Sequence, residues 1–455
     1  MGRRARLCGS VLALVLAAGP LWSQDSHYWT EQFGNRARLL GGAVVGGGSD
    51  IAVVYYNPGA LALMERPEIL LSGNVFEVRS VSADPASSEV DGLATRSFSL
   101  SPSLFAGQLR NEVLGGQFAY SFLTRSRADF RLAAQSSVPT NEVEIPNVSF
   151  ASNNVLVEQS LGDHWFGGTW ARAFGERIGL GVSTFFAIRS QTTRFQDAFT
   201  VLAKDNRAAV SSEIRDFSFY NVRLLWKIGL ATNWEKWKLG LTVTTPSISL
   251  FGNGMSTVDS SLVAQGVDPS GNPLSFVASD QQSVSAEYRS PLSIGFGASR
   301  SFGATRLYLS GEWFQSIGPY AVLDTEVFQS QSSGETLSSD VVHELGSITN
   351  FAIGIEHALS AERRVYGSFW TDGNAVKEES ATNVSGSPFD LYHFGAGYSF
   401  LVGSSDVTLG GVVALGSAET ALDLKPPELE SGMVNTSYMR VTFIVGFNFA
   451  LATGG

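Results

Sequence analysis

The residues that could do chemistry are few and poorly spaced for it. The five histidines, His27, His164, His343, His357 and His393, are scattered along the chain, with neither an HExxH pair nor cysteines at metal-ligand spacing. No metal site and no cofactor are expected. Gly46-Gly47-Gly48-Ser49 has the glycine content of a phosphate-cradling loop, yet no lysine follows it and no strand–loop–helix unit surrounds it. Serines abound, but no G-x-S-x-G elbow presents one as a nucleophile, so the chain is not expected to be an enzyme. His393 lies among Leu391, Gly395 and Gly397 on an alternating segment. It reads as a polar filler of an interior face, with contact to a solute as the other reading.

The compartment is written in the first residues. Arg3, Arg4 and Arg6 precede an apolar run from Leu7 to Ala18 and a Pro20-Leu21-Trp22-Ser23 boundary. That is the pattern of a secretory signal peptide over residues 1–23, and the run falls short of the roughly 20 residues of a spanning helix. The single cysteine, Cys8, lies inside it, so the mature chain can build neither a disulfide framework nor a thiolate metal site. Losing three arginines leaves 28 basic against 42 acidic residues and moves the net charge from −11 to −14. Phosphate backbones require clustered Lys and Arg, so no nucleic-acid partner is expected.

A chain of 455 residues would ordinarily read as two or three soluble domains, but large barrels are an exception to that prior. Charged residues make up only 16%, where soluble domains carry about 25%. The 48 glycines and 30 phenylalanines suit a glycine- and aromatic-rich sheet. Behind the signal, segment after segment alternates with period two. In the last, Met439, Val441, Phe443, Val445, Phe447, Phe449 and Leu451 are interrupted by Arg440, Thr442, Gly446, Asn448 and Ala450. Tyr220, Val222, Leu224, Trp226 and Ile228 alternate with Asn221, Arg223 and Lys227, which hydrocarbon would not accept. Ile178, Leu180, Val182, Phe186 and Ile188 oppose Gly179, Gly181, Ser183 and Arg189, and Leu307, Leu309 and Trp313 oppose Arg306, Ser310 and Glu312. Such alternation puts one face in lipid and the other toward a lumen.

Strands are expected over 69–81, 97–109, 113–133, 164–174, 177–190, 217–229, 237–250, 284–300, 304–316, 348–358, 363–374, 389–401, 405–417 and 437–451. The count of about 14 is even, as closed bacterial outer-membrane barrels require. Every second connection is short, as at Gly175-Glu176 and Val402 to Ser404, and reads as a periplasmic turn. The links 251–283 and 317–347 are long and polar and read as external loops. Glu378-Glu379 falls in another such loop, a solvated face near divalent cations and lipopolysaccharide. Trp165, Trp170, Trp226, Trp234, Trp237, Trp313 and Trp370 fall toward strand ends, where a membrane interface favours tryptophan; ordinary core tryptophan is the alternative. The fold class is therefore all-β, a transmembrane antiparallel barrel.

Ahead of the first strand, Gly34 to Met64 is glycine-rich and apolar yet too broken for a helix or a long strand. Gly41, Gly42, Ala43, Asp50, Tyr55, Tyr56, Asn57 and Pro58 give a small-residue run, an acidic residue, an aromatic pair and Asn-Pro. In this order the chain resembles the FadL/TodX family of outer-membrane transporters of hydrophobic compounds; Gly59-Ala60 stands where the family has Ala-Gly. The resemblance implies an N-terminal plug, or hatch, over residues 24–67 inside a barrel over 68–451. It implies diffusive uptake, without ATP, of hydrophobic small molecules such as long-chain fatty acids or aromatic hydrocarbons. It implies as well an apolar site near the outer loops, displacement of the plug's N-terminal end, and a sideways exit beside a kinked strand. Gly115 and Gly116, expected within the third strand, are the candidate kink, with barrel-corner glycines as the equal alternative. Residues lining the ligand are left unassigned, because the family's external loops vary.

The expected partners are the hydrophobic ligand, outer-membrane lipid and lipopolysaccharide, and the outer-membrane assembly machinery. Gly446-Phe447-Asn448-Phe449-Ala450-Leu451 resembles that machinery's recognition signal, with Ala452 to Gly455 as an extra tail. A monomer in the bacterial outer membrane is expected. A barrel of the same fold serving a secretion or surface-attachment system, without transport, stays open. The plug argues against a general porin.

Overall fold

The computed structural model describes residues 26–48, 50–64, 67–84, 93–109, 112–137, 148–204, 207–265, 274–376, 389–422 and 432–450. The signal peptide with Cys8, Ser49, Glu378-Glu379 and the tail from Ala452 lie outside the described residues. Among the described residues, twenty strands follow the inner N-terminal segment. They are β1 (Glu68–Asp84), β2 (Leu93–Gln108), β3 (Gln117–Ser137), β4 (Val148–Phe174), β5 (Ile178–Ala203), β6 (Ala208–Trp234), β7 (Trp237–Thr244), β8 (Ile248–Gln265), β9 (Leu274–Ser285) and β10 (Ser293–Phe302). There follow β11 (Thr305–Phe314), β12 (Ile317–Leu323), β13 (Phe328–Gln329), β14 (Thr336–Leu337), β15 (Val341–Leu345), β16 (Ile348–Ala358), β17 (Arg363–Asp372), β18 (Leu391–Val402), β19 (Ser405–Leu422) and β20 (Gly432–Ala450).

Every strand pairing among the described residues is antiparallel, and the ring closes through β1 with β20 and β5 with β6. Two staves are broken. β7 and β8 both pair with β6, the first with its lower residues and the second with its upper ones. The break falls at Pro246, which has no N–H to give a ladder. β9 and β10 likewise make one stave, interrupted over 286–292. β12 to β15 are not staves of the ring and form two separate two-stranded sheets. Counted in this way the barrel is closed by 14 staves.

Hydrophobic alternation places the two faces as the sequence predicts. Ile178, Leu180, Phe186 and Ile188 are exposed on the outside, as are Phe443, Phe447 and Phe449, whereas Asn221, Arg223 and Lys227 are buried within. An outer face of this kind is what a hydrocarbon layer would cover. Among the described residues no helix is long and apolar enough to cross a membrane.

Five expectations need correction. The link 251–283 is largely strand, in β8 and β9, and β4 begins at Val148 rather than near 164. At 27 residues β4 is roughly 90 Å long, far more than an apolar band about 25 Å tall requires. Above that band neither face has to be apolar, so the alternation that reveals a strand disappears. The stretch 284–300 is not one strand but is broken between β9 and β10. Gly115 and Gly116 precede β3; they sit in the turn between β2 and β3, where Gly115 has φ +67° and Gly116 bridges Val113. They cannot kink a strand that starts at Gln117. Trp165 and Trp370 are core residues, 6% and 1% exposed, while Trp234, Trp237 and Trp313 are exposed on the outside.

Candidate functional site

Residues 26–64 are almost wholly buried and hydrogen-bond to strands around the whole ring. Ser72 of β1 donates to Gly34 O at 3.3 Å, Ser183 of β5 to Val54 O at 2.7 Å, and Val45 N donates to Ser310 of β11 at 3.3 Å. Asn35 Nδ2 donates to Asn448 of β20 at 2.7 Å, and Arg36 pairs with Asp406 of β19. The segment is therefore built against the lumenal wall, with its own backbone held in short helical turns at Arg36–Leu39, Val53–Tyr56 and Pro58–Leu63.

The motif residues each have a structural task. Gly41 and Gly42 have φ of +64° and +74°, and a Cβ at Gly42 would collide with Gln32 and crowd Tyr56. Asp50 accepts the backbone N–H groups of Arg36 and Ala52, each at 3.1 Å. Burial holds its carboxyl above the ordinary value, against the pull of Arg36. The Tyr56 hydroxyl accepts Phe33 N at 2.8 Å and donates to Gln32 Oε1 at 2.8 Å, and burial pushes its pKa well up. Asn57 donates to Val45 O at 2.8 Å and to Leu230 O at 3.0 Å, while its Oδ1 accepts Gly59 N at 3.1 Å. Gly46, from the run that superficially suggests a phosphate loop, packs backbone to backbone on Gly297.

Asn57, Pro58 and Gly59 rest on a seat of wall glycines that sequence reasoning did not assign. Gly179 and Gly181 of β5, Gly229 of β6 and Gly240 of β7 come from adjacent staves, with Gly181 opposite Gly229. A Cβ on Gly229 would strike Asn57 Oδ1, and one on Gly181 would strike Pro58 O. The signal was present in Gly179 and Gly181, lumen-facing members of an alternating strand, but only the fold shows what approaches them.

The N-terminal end of the segment is held at several points. Asp372 of β17 accepts Tyr28 N at 3.1 Å, Trp29 N at 2.8 Å and the Thr30 hydroxyl at 2.5 Å. Trp29 Nε1 donates to Glu312 of β11 at 2.9 Å, and Arg440 of β20 donates to Thr30 O at 2.6 Å and pairs with Glu31. His393 is fully buried, stacked on Trp370 at 4.6 Å, with Nε2 4.0 Å from Asp372. It packs inside the ring beside these contacts.

Beside the same contacts lies a cavity of about 70 Å³. Tyr28, Tyr55, Trp165, Tyr288 and Phe314 give it aromatic walls, and five cationic side chains against two carboxylates converge on it. Arg223 pairs with Asp163 at 2.5 Å, and Lys227 lies 3.8 Å from Glu312. Arg189 stands 4.0 Å over the Tyr288 ring, and Arg289 stacks 4.6 Å over Tyr320 of the β12–β15 hairpin. Arg125 donates to Tyr28 O at 2.5 Å. A space this small, with excess positive charge, accepts a compact anionic head group rather than a whole hydrophobic molecule.

At Arg125 and Ser126 the cavity lies beside a fault in the wall. β2 and β3 pair only from Leu104 opposite Leu123 down to Gln108 opposite Ala119. Above that, β2 continues beside β1 and β3 continues beside β4, but no pairing joins them among the described residues. The register of β3 against β4 slips between Thr124 and Ser126, so Arg125 sits at a bulge where the seam begins. The slip in the third strand is therefore at Arg125, away from Gly115 and Gly116.

No family model matches the chain, and no curated protein matches it. Among solved structures, the Pseudomonas putida toluene transporter TodX is 13% identical, with a TM-score of 0.56 over 94% of this chain and 99% of its own. The fold is that of the FadL-type channels. A Pseudomonas aeruginosa FadL homologue matches at 10% identity and a TM-score of 0.53 over 96% of this chain and 100% of its own. The Ralstonia pickettii toluene transporter TbuX matches at 13% identity and a TM-score of 0.51, over 93% and 99%. The likeness covers nearly the whole of each FadL-type chain and is a likeness of fold.

Proposed function

We propose that this protein is a bacterial outer-membrane channel for diffusive uptake of hydrophobic small molecules, and that residues 24–67 are its plug. The observation that carries the reading is the cationic, aromatic cavity between the plug's N-terminal end and the seam in the wall. Ligand chemistry narrows the substrate to amphipaths with an acidic head, such as long-chain fatty acids, ahead of neutral aromatic hydrocarbons. Excess arginine and lysine in a buried site attract a carboxylate, and a neutral ring gains nothing from them beyond cation–π contact. The plug gives way at its latch, the tail follows, and the molecule leaves sideways between β2 and β3 into the bilayer. The structural relatives, a FadL homologue and two toluene transporters, support this reading by their shared fold.

Uptake of a labelled long-chain fatty acid into liposomes tests the reading. A second sample carries cysteines at Ser26 and Ala375, whose backbones are joined by a 3.0 Å hydrogen bond, so that the plug is locked when oxidised. Flux is expected in wild type and in the reduced double variant, and its loss on oxidation. Equal background flux in all three would end the transport reading and favour the secretion or attachment role.

A further inference from the structure

The rim that carries the short turns has an arginine on its outer face. Along β10, Ile294, Phe296, Arg300 and Phe302 are exposed while Ser293, Gly295, Gly297 and Ser299 are buried, so Arg300 belongs to the face that lipid would cover. In register it stands between Trp237 of β7 and Leu307 of β11, and Trp237 is opposite Trp234 of β6. Trp234, Trp237 and Phe302 all end or begin their strands at this rim and are exposed. Aromatic residues so placed make the girdle of a membrane barrel, at the depth of the lipid head groups.

The guanidinium is held by its flat face. Its central carbon lies 4.8 Å from the centroid of the Trp237 ring and 4.7 Å from that of Phe302, two cation–π contacts that leave the N–H edge to an acceptor. The protein supplies none. Among the described residues no carboxylate pairs with Arg300 and no oxygen accepts from its side chain, and the flanking staves β6, β7, β11 and β16 with their short turns are described throughout. A second exposed cation is close by, because the Lys236 carbonyl accepts Ser301 N at 3.0 Å and fixes the β6–β7 turn beside Arg300. Glu235, with φ +49°, shares that turn, which leaves two cations against one carboxylate.

An arginine on the lipid face is disfavoured at the bilayer midplane and tolerated near an interface. At that depth the bilayer itself offers an anion, the phosphodiester of a phospholipid, and a guanidinium matches its two free oxygens with paired N–H groups. We propose that Arg300, flanked by Trp237 and Phe302, binds the phosphodiester of a glycerophospholipid in the leaflet on the short-turn side. Lys236 is its second cation, and the acyl chains lie along Leu239, Leu241 and Phe296, each of them outward and exposed. The inference rests on the reading of this chain as a membrane barrel and not on transport. Its assay therefore reads lipid retention, while liposome flux reads the other.

The test uses the full mature chain in lauryldimethylamine oxide, with native mass spectrometry reading bound adducts. The probes are dioleoylphosphatidylglycerol, dioleoylglycerol, which has the same chains and no phosphate, and excess inorganic phosphate. Wild type should retain the phospholipid in preference to the diacylglycerol. Arg300→Gln should weaken that retention about fivefold, the scale of one charge-assisted hydrogen bond at an exposed site, while keeping heat-modifiable mobility, and Arg300→Lys should restore part of it. Arg131→Gln, which removes an exposed arginine paired with Glu158 on β3 and β4, should leave it unchanged. Equal retention by wild type and Arg300→Gln, an equal loss in Arg131→Gln, or equal retention of the diacylglycerol by wild type would each overturn the proposal. Displacement of the lipid by inorganic phosphate would overturn the lipid as occupant. Lys236→Gln, in an exposed turn, should also weaken retention and keeps the test decisive if Arg300→Gln fails to assemble.

Discussion

The carboxylate of Asp372 accepts the backbone N–H of Trp29 at 2.8 Å, joining positions 343 residues apart. The same side chain takes Tyr28 N and the Thr30 hydroxyl, so one wall residue fixes three consecutive residues of the inner segment. Neighbouring contacts hold side chains and carbonyl oxygens of this end, but Asp372 alone collects adjacent backbone donors there among the described residues. Each buried donor deprived of its acceptor costs about 1–3 kcal/mol.

Asp372→Ala is therefore expected to free the 26–30 end while leaving the barrel assembled, because the ring rests on its ladders. Limited proteolysis should cut ahead of Gly34 several-fold faster than in wild type, with heat-modifiable mobility retained. Fatty-acid flux should rise if this end is a latch. Wild-type protease resistance together with wild-type flux would refute that role.

Gly229→Ala tests the seat under Asn57 and Pro58. The new methyl would strike Asn57 Oδ1, with the Pro58 ring also within contact, and overpacking of this kind costs about 1–3 kcal/mol. Gly411→Ala is the control, since a Cβ there would meet its nearest atom at 3.6 Å. Thermal unfolding in detergent should show Gly229→Ala less stable by several degrees and Gly411→Ala unchanged. Equal stability of the two would show that the segment does not rest on this seat.

The barrel was legible because hydrocarbon imposes a rule on every second residue. Lys227, Arg223 and Asn221 could not face lipid, and all three are buried inside. The rule lapses above the apolar band, so the upper halves of β4, β5 and β6 and the strands β8 and β9 passed for loop. The motif was legible in Asn57-Pro58-Gly59, but its seat on β5, β6 and β7 was not, since nothing local marks which glycine a distant backbone will approach. Arg125 gave no signal at all. An arginine in a strand becomes informative only once a slipped register turns it toward Tyr28.

Arg125→Leu should lower the uptake of acids and spare that of neutral aromatics. Arg125 donates to a neutral carbonyl, the Tyr28 oxygen, so its loss does not break a salt bridge. Removing Arg223 instead would leave Asp163 buried without its partner, at a cost of about 3–5 kcal/mol in stability. A charge-assisted hydrogen bond contributes about 1.5–3 kcal/mol, which corresponds to roughly tenfold or more in affinity. Paired liposome assays with labelled oleate and labelled toluene would show it as a drop in the first alone, restored in part by Arg125→Lys. A parallel drop in both would mean that Arg125 only supports the fold.

The seam can be closed chemically. Ser103 and Thr124 are the next positions above Leu104 and Leu123, the last opposed pair between β2 and β3, and both are buried. Cysteines at these two sites would form a disulfide only if the strand edges can be drawn to about 5.5 Å between Cα atoms, and the mature chain offers no competing thiol because Cys8 is its only cysteine and precedes the expected cleavage site. If molecules leave between these strands, oxidation should cut fatty-acid flux to background and dithiothreitol should restore it. A single-cysteine variant controls for the substitutions themselves. Undiminished flux through a demonstrably cross-linked barrel would move the exit elsewhere, and the bulge at Arg125 would then serve only to place its guanidinium on the Tyr28 carbonyl.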